Sequence, residues 1–243
     1  MSEFLFVIVP YLCLTTFVVG HLWRYRYDKF GWTTRSSQLY ENRLLRIGSP
    51  LFHFGMLGVV GGHVIGLLIP QSWTDAVGIS HTAYHVVAVG GGLLAGVMTV
   101  VGLAILVYRR RTVGPVFTAT TRMDKVMYAF LVVVIVLGMW NTIAGSILTI
   151  GGEYNYREGV SVWYRSFLAF QPQPELMADA PVGFQLHALV AFGLFALWPF
   201  TRLVHVFSAP LGYLTRPYIV YRSRDDQQLG SHSQRRGWER IDR

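Results

Sequence analysis

Four histidines stand inside apolar stretches that carry no charged group: His53 and His63 in one, His187 and His205 in and just beyond another. Imidazole binds metals through either ring nitrogen and is the side chain that titrates nearest neutrality. An ionisable residue at membrane depth is costly and marks a functional site by default. On one helix, His53 and His63 are about 15 Å apart along the axis and about 80° apart around it. His187 and His205 lie close to five turns apart, on one face and about 27 Å from each other. Two such residues on each of two helices can supply two bis-histidine metal centres, one near each face of a bilayer.

Taken singly, any of these histidines reads most simply as a hydrogen-bonded core residue. Four of them, paired at matched depths on antiparallel helices, read better as ligands. A structural zinc site wants four ligands at one point, whereas these four are spread across the membrane. Two haems, each with two axial imidazoles, fit better. Iron with both axial positions filled has no open site for substrate, which points to electron transfer.

The elements that must position these residues are helices. Five stretches reach the roughly 20 apolar residues needed to cross the hydrocarbon core: Phe4–Trp23, Pro50–Ile69, Tyr84–Tyr108, Val126–Ile150 and Val182–Phe200. None alternates with period two, so a barrel is excluded and helices remain as the way to satisfy the backbone in lipid. The expected fold is an all-α membrane protein, a five-helix bundle over 1–207, followed by a basic tail over 208–243.

Charge sets the orientation. Of the 21 Lys and Arg, six lie in Arg24–Ser49, five in Arg109–Lys125 and eight from Arg202 onward. The loops Pro70–Ala83 and Gly151–Pro181 hold none and two. The positive-inside rule puts the three basic regions in the cytoplasm, the amino terminus outside and the carboxyl terminus inside. The chain is then a multi-pass protein of the cell membrane. Its net charge of +8 reports topology; nothing resembles a soluble basic face for nucleic acid. The first apolar stretch lacks a basic leader and reads as a span rather than a cleaved signal. Cys13 is the only cysteine, so any cysteine-ligated iron–sulfur cluster belongs to another polypeptide. The tail is expected to lie on a partner or to be partly disordered.

On these antiparallel helices topology pairs His63 with His187 near the outer face and His53 with His205 near the inner. The two axial spans differ by about 12 Å, which helix tilt, oblique rings or a kink at Pro199 must absorb. Gly55, Gly58, Gly62 and Gly66 share a face and predict close helix packing, with Gly92 and Gly96 repeating the device. Gly61 points nearer the histidines, where it makes room for a flat macrocycle. Arg202 precedes His205 by three residues and is a candidate partner for an inner haem propionate. Arg109, Arg110 and Arg111 read as lipid headgroup contacts. The i, i+4 pair His81 and His85 sits at the outer start of the third span, and His21 near the inner end of the first.

The motifs SPLFHFGMLGVVGGHVIGLLIP from Ser49 and QLHALVAFGLFALWPFTRLVHVFSAPLGYLTR from Gln185 resemble the gamma (cytochrome b) subunit of membrane-bound respiratory nitrate reductase. WRYRYDKFGWTTRSSQ and TATTR are similar to it too, so the resemblance runs nearly the whole length. It implies two haems b, ligated by His63 and His187 and by His53 and His205. It also implies a quinol site beside the outer haem, onto which Gly62 and His63 map; the quinol is menaquinol or ubiquinol. Some members carry a lysine near the start of the third span. This chain reads SHTAYH there, leaving His81, Tyr84 and His85 as candidate substitutes. The implied partners are an iron–sulfur beta subunit and a molybdenum-containing alpha subunit on the cytoplasmic side. The implied function is the electron-transfer, quinol-oxidising part of a quinol:nitrate oxidoreductase.

Two other readings compete. An equivalent cytochrome b of another quinone-linked complex, in sulfur or heterodisulfide metabolism, keeps the chemistry and changes the partner. A transporter or passive anchor fits less well: a carrier is expected to place carboxylates or broken helices at mid-membrane, and an anchor has no use for the histidines.

Overall fold

In a computed structural model, residues 1–32, 36–150, 154–208 and Thr215 are described. The chain divides after Ser208 into two units. The expectations for the tail fall almost wholly outside the described residues.

Met1–Ser208 is helical. Five helices are long and apolar enough to cross a membrane: α1 (Phe4–Tyr27), α2 (Arg43–Leu68), α4 (His81–Thr112), α6 (Arg122–Ile147) and α9 (Val182–Phe200). Short helices join or follow them: α3 (Gln71–Ala76), α5 (Gly114–Thr118), α7 (Val160–Leu168), α8 (Pro174–Ala178) and α10 (His205–Ser208). Local chemistry explains several ends. The Ser80 hydroxyl caps α4 by accepting the Ala83 N–H (3.2 Å), and Thr121 with Asp124 forms a reciprocal capping box on α6.

Two groups of helices frame the site. α2 packs along much of α4, while α9 packs on α1 and α6. The close approach of α2 to α4 depends on glycine. A Cβ at Gly55 would lie 2.6 Å from the Thr99 backbone nitrogen, and one at Gly102 would strike the backbone of Phe52. Gly58 also faces α4, and Gly66 faces Tyr156. Gly62 and Gly92 depart from the expected packing, since nothing lies within 4 Å of a Cβ at either.

The Gly151–Pro181 loop contributes a core element, α7. Trp163 and Phe167 of α7 are each 1% exposed, packed with Phe6 of α1 and Phe192 of α9. Pro10 supplies no N–H to the carbonyl of Phe6, which accepts the Trp163 indole N–H at 3.0 Å. On the other side, the Ser161 hydroxyl donates to Gly66 C=O (2.7 Å) and Arg165 to Leu67 C=O (3.0 Å). These carbonyls belong to the last, π-type turn of α2, Val64–Leu68, where helix carbonyls have no partner of their own. α7 thus bridges α1, α2 and α9 at one end of the bundle.

At the opposite, arginine-rich end, α9 does not continue to His205. Its last turn is a 3-10 turn over Trp198–Phe200, Thr201 is extended (φ −117°, ψ 176°), and a second 3-10 turn covers Arg202–Val204. Pro199 lacks a donor and crowds the preceding turn. The continuous five-turn face expected for His187 and His205 is therefore absent, and the 27 Å axial figure does not apply.

Candidate functional site

The four imidazoles meet in two pairs across the space between α2 and α9. The rings of His63 and His187 are 5.9 Å apart, centroid to centroid, and tilted by 25°. Those of His53 and His205 are 6.0 Å apart and tilted by 70°. From the His53 pair to the His63 pair residue number rises along α2 and falls from His205 on α10 back to His187 on α9, so α2 and the fifth segment run antiparallel.

Each imidazole is oriented by a backbone carbonyl on Nδ1. His53 donates to Ser49 C=O and His63 to Val59 C=O, both at 2.7 Å and both one turn back on α2. His187 reaches Val134 C=O of α6 at 3.1 Å, and His205 reaches Arg202 C=O at 2.6 Å. A carbonyl only accepts, so Nδ1 carries the proton and Nε2 keeps the lone pair of the neutral ring. That tautomer, held by an outer partner, is the one a metal-binding histidine needs.

Two such rings on opposite sides of one metal, with bonds of about 2.0 Å, have centroids about 6 Å apart, as both pairs here do. Among the described residues no three of His, Cys, Asp or Glu converge as a metal site. Gly61 and Gly62, beside His63, leave open space. The donor set and spacing fit haem: His63 with His187 would hold one and His53 with His205 the other. Gly138 of α6 backs the first pair, since a Cβ there would lie 3.1 Å from His187 Cε1.

Several predicted site residues take other partners. The Arg202 guanidinium grips Asp124 with two bonds, Nε to Oδ1 at 2.8 Å and Nη2 to Oδ2 at 2.9 Å. This corrects the propionate assignment: the planar fork that would hold a carboxylate already holds one from its own chain. Arg109 is 2% exposed and binds Glu41 and Ser37, while Arg110 bonds Tyr128 and Thr120. Arg109 thus ties the loop bearing Ser37 and Glu41 to α4, and Arg110 ties α4 to α6; Arg111 lies over the Phe117 ring. Burial alone would push the Glu41 carboxyl up, but the Leu44 N–H and Arg109 outweigh it and hold it below the usual carboxylate range.

At the α7 end, His81 and His85 are exposed with stacked rings 6.4 Å apart. Tyr84 turns the other way. Its hydroxyl lies 3.3 Å from that of Tyr156, and the Arg157 guanidinium sits 3.9 Å from its ring centroid. Tyr156 in turn is the side chain nearest Gly66, one turn beyond His63. Burial, and then the Tyr84 hydroxyl, push the Tyr156 phenol well above its ordinary value. The sequence reading missed Arg157, although a signal existed. It is one of only two basic residues in the loops that the charge bias makes otherwise neutral or acidic.

Among the described residues, five helices of membrane length, with two pairs of facing imidazoles between α2 and the fifth segment, define the class: a helical membrane protein. A family model described as the nitrate reductase gamma subunit matches residues 2–224. The chain is 44% identical over 224 residues to the nitrate reductase gamma chain of Bacillus subtilis, covering 92% of this chain and 99% of that one. It is 35% identical over 230 residues to the respiratory nitrate reductase 2 gamma chain of Escherichia coli, covering 92% and 98%. The nitrate reductase-like protein NarX of Mycobacterium tuberculosis is 61% identical over 238 residues, which are 98% of this chain but 36% of that protein. This chain therefore spans about a third of that longer relative. It belongs to the nitrate reductase gamma subunit family.

Proposed function

We propose that this chain is the dihaem b-type membrane subunit of a respiratory nitrate reductase. It oxidises quinol near the outer face and delivers electrons to an iron–sulfur beta subunit in the cytoplasm, beyond which a molybdenum-containing alpha subunit reduces nitrate. The observation that carries this reading is the pair of imidazole couples, 5.9 Å and 6.0 Å across, at two depths between α2 and α9. The charge bias of the loops supports a cell-membrane orientation with the His63/His187 pair outermost.

When bound, the two haems supply one-electron carriers that link the two sides of the membrane. The chain's own residues do the rest. The carbonyls of Ser49, Val59, Val134 and Arg202 keep each Nε2 unprotonated. α7 fastens the last turn of α2, just beyond His63, through Ser161 and Arg165. Tyr84 and Tyr156 bring their hydroxyls together, with Tyr156 beside Gly66, one turn beyond His63; a quinol there would surrender its protons outward. Electron movement inward with proton release outward conserves energy, since one charge crossing 100 mV is worth about 2.3 kcal/mol.

The test is the haem content and activity of single-histidine variants. His63→Ala is expected to lose one of two b haems and to abolish quinol-driven nitrate reduction, with activity from a soluble donor intact. His205→Ala is expected to lose the other haem. A well-folded wild-type chain without haem would dispose of the reading.

A further inference from the structure

Arg157 is buried, at 3% exposure, and among the described residues it forms no ion pair. Nη1 donates to the Thr74 hydroxyl (3.1 Å), Nη2 to Ile69 C=O (3.5 Å), and the guanidinium lies over Tyr84. Nε is buried with no partner at all. The adjacent carboxylate, Glu158, is turned to Asn155 at 2.7 Å. Arg165, on α7, likewise has a carbonyl and no carboxylate. Burial, and then the charge of Arg157, make Arg165 a weaker base than usual, so the two cations feel each other. The ion pairs among the described residues join Arg24 to Asp28, Arg109 to Glu41 and Arg202 to Asp124; neither Arg157 nor Arg165 takes part. A buried cation left unpaired is strongly destabilising, and a bidentate guanidinium is the group best shaped to hold an oxygen anion.

The place of these charges names the ligand class. Leu67 and Ile69, whose carbonyls they hold, follow His63 by four and six residues, roughly 6 to 9 Å along the helix. A macrocycle centred between His63 and His187, or a quinol beside it, extends over that distance. We infer that Arg157 holds an oxygen anion, carboxylate or phenolate, of the group lying against the His63/His187 pair, with Arg165 adding to the field. The inference rests on the function proposed above. The anion comes either from a haem propionate or from the quinol head group, and both present the same chemistry to a guanidinium.

The experiment compares wild type, Arg157→Gln and Arg157→Lys in the assembled membrane complex. Each haem is titrated for its midpoint potential, and KM is measured with menadiol as donor. Two b haems and menadiol oxidation in the wild type establish the underlying reading independently. In Arg157→Gln, a lowered potential of the outer haem alone, from loss of a cation beside it, assigns the anion to a propionate. An unchanged potential with KM raised about tenfold or more assigns it to the quinol. Arg157→Lys keeps the charge and is expected to restore most of either change. Wild-type potentials and KM in Arg157→Gln would reduce Arg157 to a helix cap and overturn the inference. If Arg157→Gln fails to assemble, Arg157→Lys decides. Near-wild-type values there support a charge requirement; failure of the lysine variant too shows that only the planar, doubly bonded shape mattered and overturns it.

Discussion

The pair His63/His187 depends on residues that hold the rings more than on the rings themselves. His187 is steered by Val134 C=O and has Gly138 at its back, with both residues on α6. Any side chain at Gly138 must push the imidazole. Gly138→Leu is therefore expected to lose the outer haem while the inner one stays, read as one haem per chain in the reduced-minus-oxidised spectrum with the His53/His205 signal intact. Loss of both haems would instead mean that α6 and α9 had separated. The inner pair is steered differently, because His205 takes its carbonyl from Arg202 within the broken end of the fifth segment. Arg202 thus serves the site through its backbone, while its side chain belongs to Asp124.

At the level of elements, the spans are held less by apolar contact than by clasps at their ends. Lipid tails are as apolar as leucine, so burial between spans gains little, and packing and polar contacts decide association. The clasp of Glu41 and Ser37 on Arg109 ties the first basic loop to the end of α4. The depressed Glu41 carboxyl fixes its pH dependence. A carboxylate whose pKa is lowered on folding stabilises above its unfolded value, about 4.3, and loses that contribution as pH falls through the folded value. Glu41→Gln is expected to lower the thermal midpoint of the solubilised protein at neutral pH. Wild type and variant should converge in acid below the depressed value. A constant difference across the whole range would show that the carboxylate charge contributes nothing. α7 is the other clasp, binding α1 through Trp163 and α2 through Ser161 and Arg165.

For the whole molecule, orientation is the expectation most open to direct measurement. With Cys13 replaced, single cysteines at Leu39 and Gln171, both exposed, sit on opposite ends of the bundle. A membrane-impermeant maleimide applied to intact cells is expected to label Gln171→Cys and to leave Leu39→Cys unlabelled until the cells are broken. The reverse pattern would invert the topology and place the His53/His205 pair outermost. Five helices of membrane length and their approximate limits were legible in the sequence, because lipid demands long uncharged helices. The limits slipped where the ends are polar: α2 begins at Arg43 and α4 at His81, ahead of Pro50 and Tyr84. No rule of hydropathy marks where a helix emerging from lipid stops.

What the sequence by itself determined is the set of things that depend on a residue's own transfer cost and local spacing: helices, and how many of them are long and apolar enough to cross a membrane. The tertiary structure decided which charged groups meet. Arg202 finds Asp124 from 78 residues away, Arg109 finds Glu41 from 68, and Arg157 reaches Thr74 from 83. It also decided that the fifth segment breaks before His205 and that α7 packs into the core at one end of the bundle. Such pairings follow from distances between helices that share no local pattern, and a long arginine can serve any acceptor that packing brings within its reach.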